Sequence, residues 1–179
     1  MRVIGLDPSL TATGIAIIDG DDIHVTTIKS KGDAGATLRD RHARLDDLRD
    51  RIMRHIQEAD LVVIEQPAFS RTTGHHHDRS GLWWMIMDAL HLWTCGPDQI
   101  AEVTPGSLKK YAAGKGNAGK DEVLLAVARR YPDVAVKDNN QADSLVLAAM
   151  GARHLGHPID DLPKLHLTAM DAVKWEIQP

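Results

Sequence analysis

The sequence predicts an α/β domain on a mixed five-stranded sheet, three antiparallel strands then parallel ones, flanked by helices. Three observations predict it. Over residues 1–28 short apolar segments alternate with turn clusters at strand length. From about residue 38 the apolar residues switch to helical spacing. Beyond that, short apolar runs alternate with helical segments, the pattern of a parallel sheet covered by helices.

The elements follow in order. Residues 3–7 read as a strand, and 14–19 as a second carrying Ile15, Ala16, Ile17 and Ile18. Asp19-Gly20-Asp21-Asp22 is a turn cluster, after which 23–28 resumes as a third strand of a meander. Residues 29–35 are a polar loop. Over about 38–58, Leu45, Leu48, Ile52, Met53 and Ile56 recur between charges as one helix face. Leu61-Val62-Val63-Ile64-Glu65 is a continuous apolar run, expected of a strand buried on both faces and stopped by Pro67. Residues 67–79 read as a loop, and 82–93 as a helix apolar almost all round, with Trp83, Trp84, Ile86, Leu90, Leu92 and Trp93. A short strand is expected over 100–103. Pro105 suits a helix first turn, so a helix runs to about 112 before the glycine-rich loop 114–119. Two more helices are expected at 120–130 and 141–153. The domain is read as 1–155, with a tail of undefined role over 156–179.

Length and composition narrow the function classes. The 179 residues suit a single core, and 43% hydrophobic residues are ordinary for a globular chain. No apolar run approaches the roughly 20 residues of a membrane span. The first residues run straight into a strand pattern, which reads as the absence of a signal peptide. Cys95 is the single cysteine, so an intrachain disulfide and a cysteine-based zinc cluster are excluded, and a cytoplasmic setting is expected. Net charge is −4, but its distribution is uneven. Between Ala101 and Lys137, Lys109, Lys110, Lys115, Lys120, Arg129, Arg130 and Lys137 face only four acids. That stretch is the candidate phosphate-facing surface.

Three acids carry the chemistry. Asp7 ends the first strand and Glu65 the fourth. If those strands are parallel neighbours, both carboxylates emerge at the carboxyl edge, where open α/β sheets place their sites. Asp143 stands three residues after Asn140 near a helix start, so both share one face, with Ala142, Leu145, Val146 and Ala149 to pack that helix. Taken singly, each acid reads as a turn, cap or surface residue. Together they need cations or protons, because two carboxylates about 4 Å apart repel by about 4 kcal/mol at an effective dielectric near 20. All-oxygen ligands suit magnesium, with manganese as a substitute, and two such ions support phosphodiester hydrolysis.

At these residues the sequence resembles the RuvC family of Holliday-junction resolvases. Gly5-Leu6-Asp7-Pro8-Ser9-Leu10-Thr11-Ala12-Thr13-Gly14 resembles its first acidic motif, and Ile64-Glu65-Gln66 its second. Val103-Thr104-Pro105-Gly106-Ser107-Leu108-Lys109-Lys110 and Gly114-Lys115-Gly116-Asn117-Ala118-Gly119-Lys120 resemble its basic segment. Gln141-Ala142-Asp143-Ser144-Leu145 resembles the last acidic motif. The resemblance spans about 1–155 and implies an RNase H-like fold and a homodimeric, magnesium-dependent endonuclease that cuts four-way DNA junctions. It implies Asp7, Glu65 and Asp143 as catalytic metal ligands, with Asn140 as the fourth ligand of a two-ion site. Lys120, with Lys109 or Lys110, would lie near the scissile phosphate, with Lys115 in the same DNA-binding segment. Phe69 would meet junction bases.

Two departures stand out. Many members carry an acid where this chain has Asn140; three carboxylates with two divalent ions leave +1, which one phosphodiester cancels. Asp138 is an alternative fourth ligand, but two residues before Asn140 it is expected to point elsewhere. The second departure is His75-His76-His77, which reads as solvated loop surface, or as a DNA-contacting loop gaining charge below about pH 6.5. The apolar 82–93 helix reads as core or, at least as well, as a face buried across a dimer twofold. Three other functions compete. An acetate-kinase or actin-like phosphotransferase needs a second domain and an adenosine motif that this chain lacks. A nuclease of the same fold acting on other branched DNA or structured RNA, and a cleavage-deficient junction binder, stay open.

Overall fold

The computed structural model describes residues 1–56, 58–67, 75–93 and 99–176, the side chain of Trp93 excepted. Five strands form one sheet in the order β3-β2-β1-β4-β5: β1 (Arg2–Asp7), β2 (Ala12–Asp19), β3 (Asp22–Lys29), β4 (Leu61–Glu65) and β5 (Ile100–Val103). β1, β2 and β3 pair antiparallel, whereas β4 runs parallel to both β1 and β5. The expected mixed sheet is the observed one.

Strand periodicity sorts the side chains into two cores. On β1 and β4, Val3, Leu61 and Val63 join the cluster on one face of the sheet. Ile4, Leu6, Val62 and Ile64 join the cluster on the other. Both faces are covered, so the strands are apolar throughout. Alternation then assigns Asp7 and Glu65, the last residues of their strands, to the same face as Val3 and Val63.

That face is covered by α5 (Asn139–His154), with α3 (Pro105–Ala113) and α4 (Lys120–Arg130) outside it. α5 lies unusually close to the sheet. A Cβ on Gly5 would come within 2.0 Å of the Ser144 carbonyl oxygen, and one on Gly14 within 1.9 Å of the Asn140 carbonyl oxygen. Only glycine admits that approach, and it lays the first turns of α5 across the ends of β1 and β2. The helix is capped by Asp138, whose Oδ1 accepts the Gln141 N–H at 2.9 Å and whose Oδ2 accepts the Thr27 hydroxyl at 2.8 Å.

The opposite face is covered by α1 (Leu38–Met53) and α2 (His76–Trp93). α1 opens on a Thr37–Asp40 capping box and ends earlier than the expected 58. There the chain turns back so that the Asp60 N–H donates to the Arg2 carbonyl at 2.8 Å on entry to β4. α2 starts six residues before the expected 82, which converts the end of the expected loop into helix. Its first turn is held from outside: Asp78 accepts two hydrogen bonds from Arg41 on α1. The residues after α5 pack onto the first core, where α6 (Lys164–Leu167) and a 3-10 turn (Met170–Ala172) follow. Leu162, Ala169 and Val173 are buried there. The fully buried Asp160 carboxylate accepts from Tyr111 at 3.0 Å, Tyr131 at 2.5 Å and Arg153 at 2.6 Å. Among the described residues, no helix is long and apolar enough to cross a membrane.

Candidate active site

The parallel register pairs Leu6 with Ile64, so Asp7 and Glu65 are the next residues on adjacent strands and leave the sheet together. α5 brings Asp143 and Asn140 over the same edge. These four line one cavity of about 270 Å³ with Lys109 of α3 and Lys120 of α4. Six residues named from sequence therefore meet in one place, contributed by five elements.

Electrostatics tie the group together. Burial pushes the Asp7 carboxyl well above its ordinary range, and a hydrogen bond to Glu65 pushes the same way. Glu65 is also raised by burial, while its hydrogen bond with Asp7 lowers it. Asp143 is pushed up to about 7 by burial and by the charge of Asp7. Lys120 acts against all three shifts, and Lys109 against those of Glu65 and Asp143. The cavity thus holds more negative charge than its surroundings stabilise, with two ammonium groups turned toward it.

Lys120 is the first residue of α4, where a pairing with Glu122 is the simplest surface role. Glu122 is already taken: it accepts from Lys115 Nζ at 2.8 Å and from the Gly119 N–H at 3.4 Å. Lys115 is consequently an ion-paired surface residue outside the cavity. Of the pair Lys109 and Lys110, only Lys109 lines it. Asp138 is spent as the α5 cap, although its charge still raises Asp7. His75, His76 and His77 are exposed, the last two on α2 rather than in a loop. Phe69 lies outside the described residues.

Among the other lining residues, sequence reasoning gave no site role to Gln66, Arg79 and Trp83. The Trp83 indole N–H donates to the Glu65 carbonyl at 3.0 Å and fixes the end of β4. The signal for Trp83 and Arg79 was helical spacing, since four residues apart they share a face once α2 is known to begin at His76.

The donor set fits divalent cations of the magnesium type: carboxylate oxygens, one amide and room for water. As the side chains stand, no three acidic, histidine or cysteine residues among those described form a ready-made ligand set. Asp7 and Glu65 are hydrogen-bonded to each other, so taking up a cation means breaking that bond and turning a carboxylate.

No family model matches the chain. Curated relatives do. The crossover junction endodeoxyribonuclease RuvC of Acidiphilium cryptum is 29% identical over 157 residues, covering 86% of this chain and 92% of its own. The RuvC of Allorhizobium ampelinum is 26% identical over 166 residues, covering 87% and 92%. Among solved structures, Thermus thermophilus RuvC superposes with a TM-score of 0.64 at 19% identity, covering 88% of this chain and 98% of that one. The same protein in complex with a Holliday junction substrate gives 0.63 at 18% identity, covering 88% and 97%. The sheet and its helices are RNase H-like.

Proposed function

We propose that this chain, a RuvC-type protein in sequence and fold, is an endodeoxyribonuclease that resolves four-way DNA junctions. The observation carrying the proposal is the convergence of Asp7, Glu65 and Asp143 with Lys109 and Lys120 on one cavity. The three acids would hold two magnesium ions, with Asn140 as a neutral fourth ligand and manganese as a substitute. When bound, such ions activate a water and stabilise the leaving 3′-oxygen of a phosphodiester. The chain's own residues do the rest. Burial and mutual repulsion hold the carboxylates ready to exchange protons for cations. The Lys120 ammonium, at the first turn of α4, supplies positive charge where negative charge would develop on the phosphate in the transition state. Lys109 adds a second ammonium to the same cavity. Trp83 and the α5 cap keep Glu65 and Asp143 in place.

Branched DNA is the proposed partner, with a second copy of the chain to cut symmetrically. The dimer reading draws on α2, where Trp83 is core but Trp84 is 66% and Leu92 68% exposed. A labelled synthetic four-way junction, incubated with the protein and magnesium beside a linear duplex, tests the proposal. Paired nicks in the junction, dependent on magnesium and absent from the duplex, are expected. Equal cutting of both DNAs would make it a nuclease of other specificity. Tight junction binding without cleavage would favour the non-catalytic reading that Asn140 suggests.

A further inference from the structure

The cavity has a third cation. Arg79 lines it from α2, together with Lys109 of α3 and Lys120 of α4. Its position is built rather than incidental. One turn later on the same helix face, Trp83 is fastened to the Glu65 carbonyl. The preceding residue, Asp78, is buried and held by Arg41. With α2 fixed at both points, Arg79 projects from a rigid element. Its charge is also unspent: among the described residues it makes no ion pair, because Asp78 is committed to Arg41 and His75. Lys109 and Lys120 are the cations that act on the acids, and Arg79 is not among them. Arg79 brings its charge to the same cavity from a further helix, α2.

We propose that Arg79 binds a backbone phosphate of the DNA strand next to the scissile one, anchoring that strand across the cavity. A guanidinium suits this task, since its fork meets two phosphate oxygens while its charge is fixed. A strand crossing the cavity would meet Arg79 as well as the two lysines, with the acids at its scissile phosphate. This rests on the nuclease reading and adds to it a residue for substrate register.

Binding is measured by fluorescence anisotropy on a four-way junction and on a linear duplex, in an Asp7→Asn background that holds cleavage off. Arg79→Ala should weaken binding about tenfold at moderate salt and lower the slope of log K against log salt by about one. Arg79→Lys should keep the slope and stay within about threefold in affinity. In the otherwise native chain, Arg79→Ala should lower cleavage at subsaturating protein about tenfold, in step with the weakened binding, and leave the thermal midpoint unchanged. An unchanged slope would overturn the proposal. So would unchanged affinity with a cleavage rate tenfold or more lower, which would put Arg79 on the scissile phosphate itself. A fall in thermal midpoint shared by both variants would make it a structural residue. Failure of the native chain to cut junctions would remove the resolvase reading alone, since the salt slope on either DNA still decides Arg79. No binding to either DNA would overturn both.

Discussion

Asp143 sits where its proton controls the rest of the site. Its carboxyl is pushed up to about 7 from an ordinary 3.8 by burial and by Asp7. A raised carboxyl means the folded state holds a proton that the unfolded chain has lost. The associated stability is full below about pH 4 and disappears as pH rises through about 7, on the order of 4 kcal/mol at the limit. In chelator, the thermal midpoint should therefore rise as pH falls from 8 toward 5, against the usual acid trend. Magnesium should cancel much of that dependence, and Asp143→Asn should flatten it; a midpoint flat with pH in the native chain would contradict the assignment. For Lys120, the Lys115–Glu122 pair leaves a charge facing the acids. Lys120→Ala should lower single-turnover cleavage on the order of a hundredfold, near 2.7 kcal/mol, while junction affinity changes little. Loss of affinity at an unchanged rate would make it an ordinary phosphate anchor. The acids were legible in sequence because each ends or opens a regular element. What Lys115 does was not, because its partner lies across a turn whose geometry no spacing reveals.

Among the elements, α5 decides most. Its docking needs bare backbone at Gly5 and Gly14, the two positions where β1 and β2 pass under Ser144 and Asn140. Gly5→Ala drives a methyl into a backbone oxygen that cannot move without shifting the helix. We expect a loss of about 3 kcal/mol or more, read by denaturant unfolding, with cleavage lost because Asp143 is displaced. A Gly5→Ala protein of native stability would show that α5 adapts. The strands and the α3–α4 basic segment were readable from apolar runs, Pro105 and the glycine loop. The start of α2 was not, since Arg41, thirty-seven residues away, holds its first turn through Asp78. The early end of α1 has the same kind of cause, a demand from β1 on the chain entering β4. Asp138 is only partly legible: its cap contact to Gln141 is local, but the hydrogen bond to its other oxygen comes from Thr27 on a distant strand.

At the scale of the whole molecule, the exposed Trp84 and Leu92 on α2 are the apolar surface a second copy would cover. Sedimentation at micromolar concentration should show a dimer, and Trp84→Glu should return it to a monomer; a native monomer would remove the symmetric-cutting model. The segment after α5 belongs to the core through Asp160. Asp160→Ala leaves Arg153 and two tyrosine hydroxyls without their buried acceptor, and should cost about 3–5 kcal/mol in unfolding experiments. Asp143 lies far along the chain from Asp7, yet the two share one cavity. Such long-range closure is slow to form, so β1 must wait for α5 before the cluster exists. A growing chain on the ribosome therefore carries Asp7 through most of its synthesis, then Glu65 and both lysines, before Asp143 completes the cluster. In refolding from denaturant, cleavage should return only with the slowest structural phase, so the acids act together only once the sheet and α5 have met.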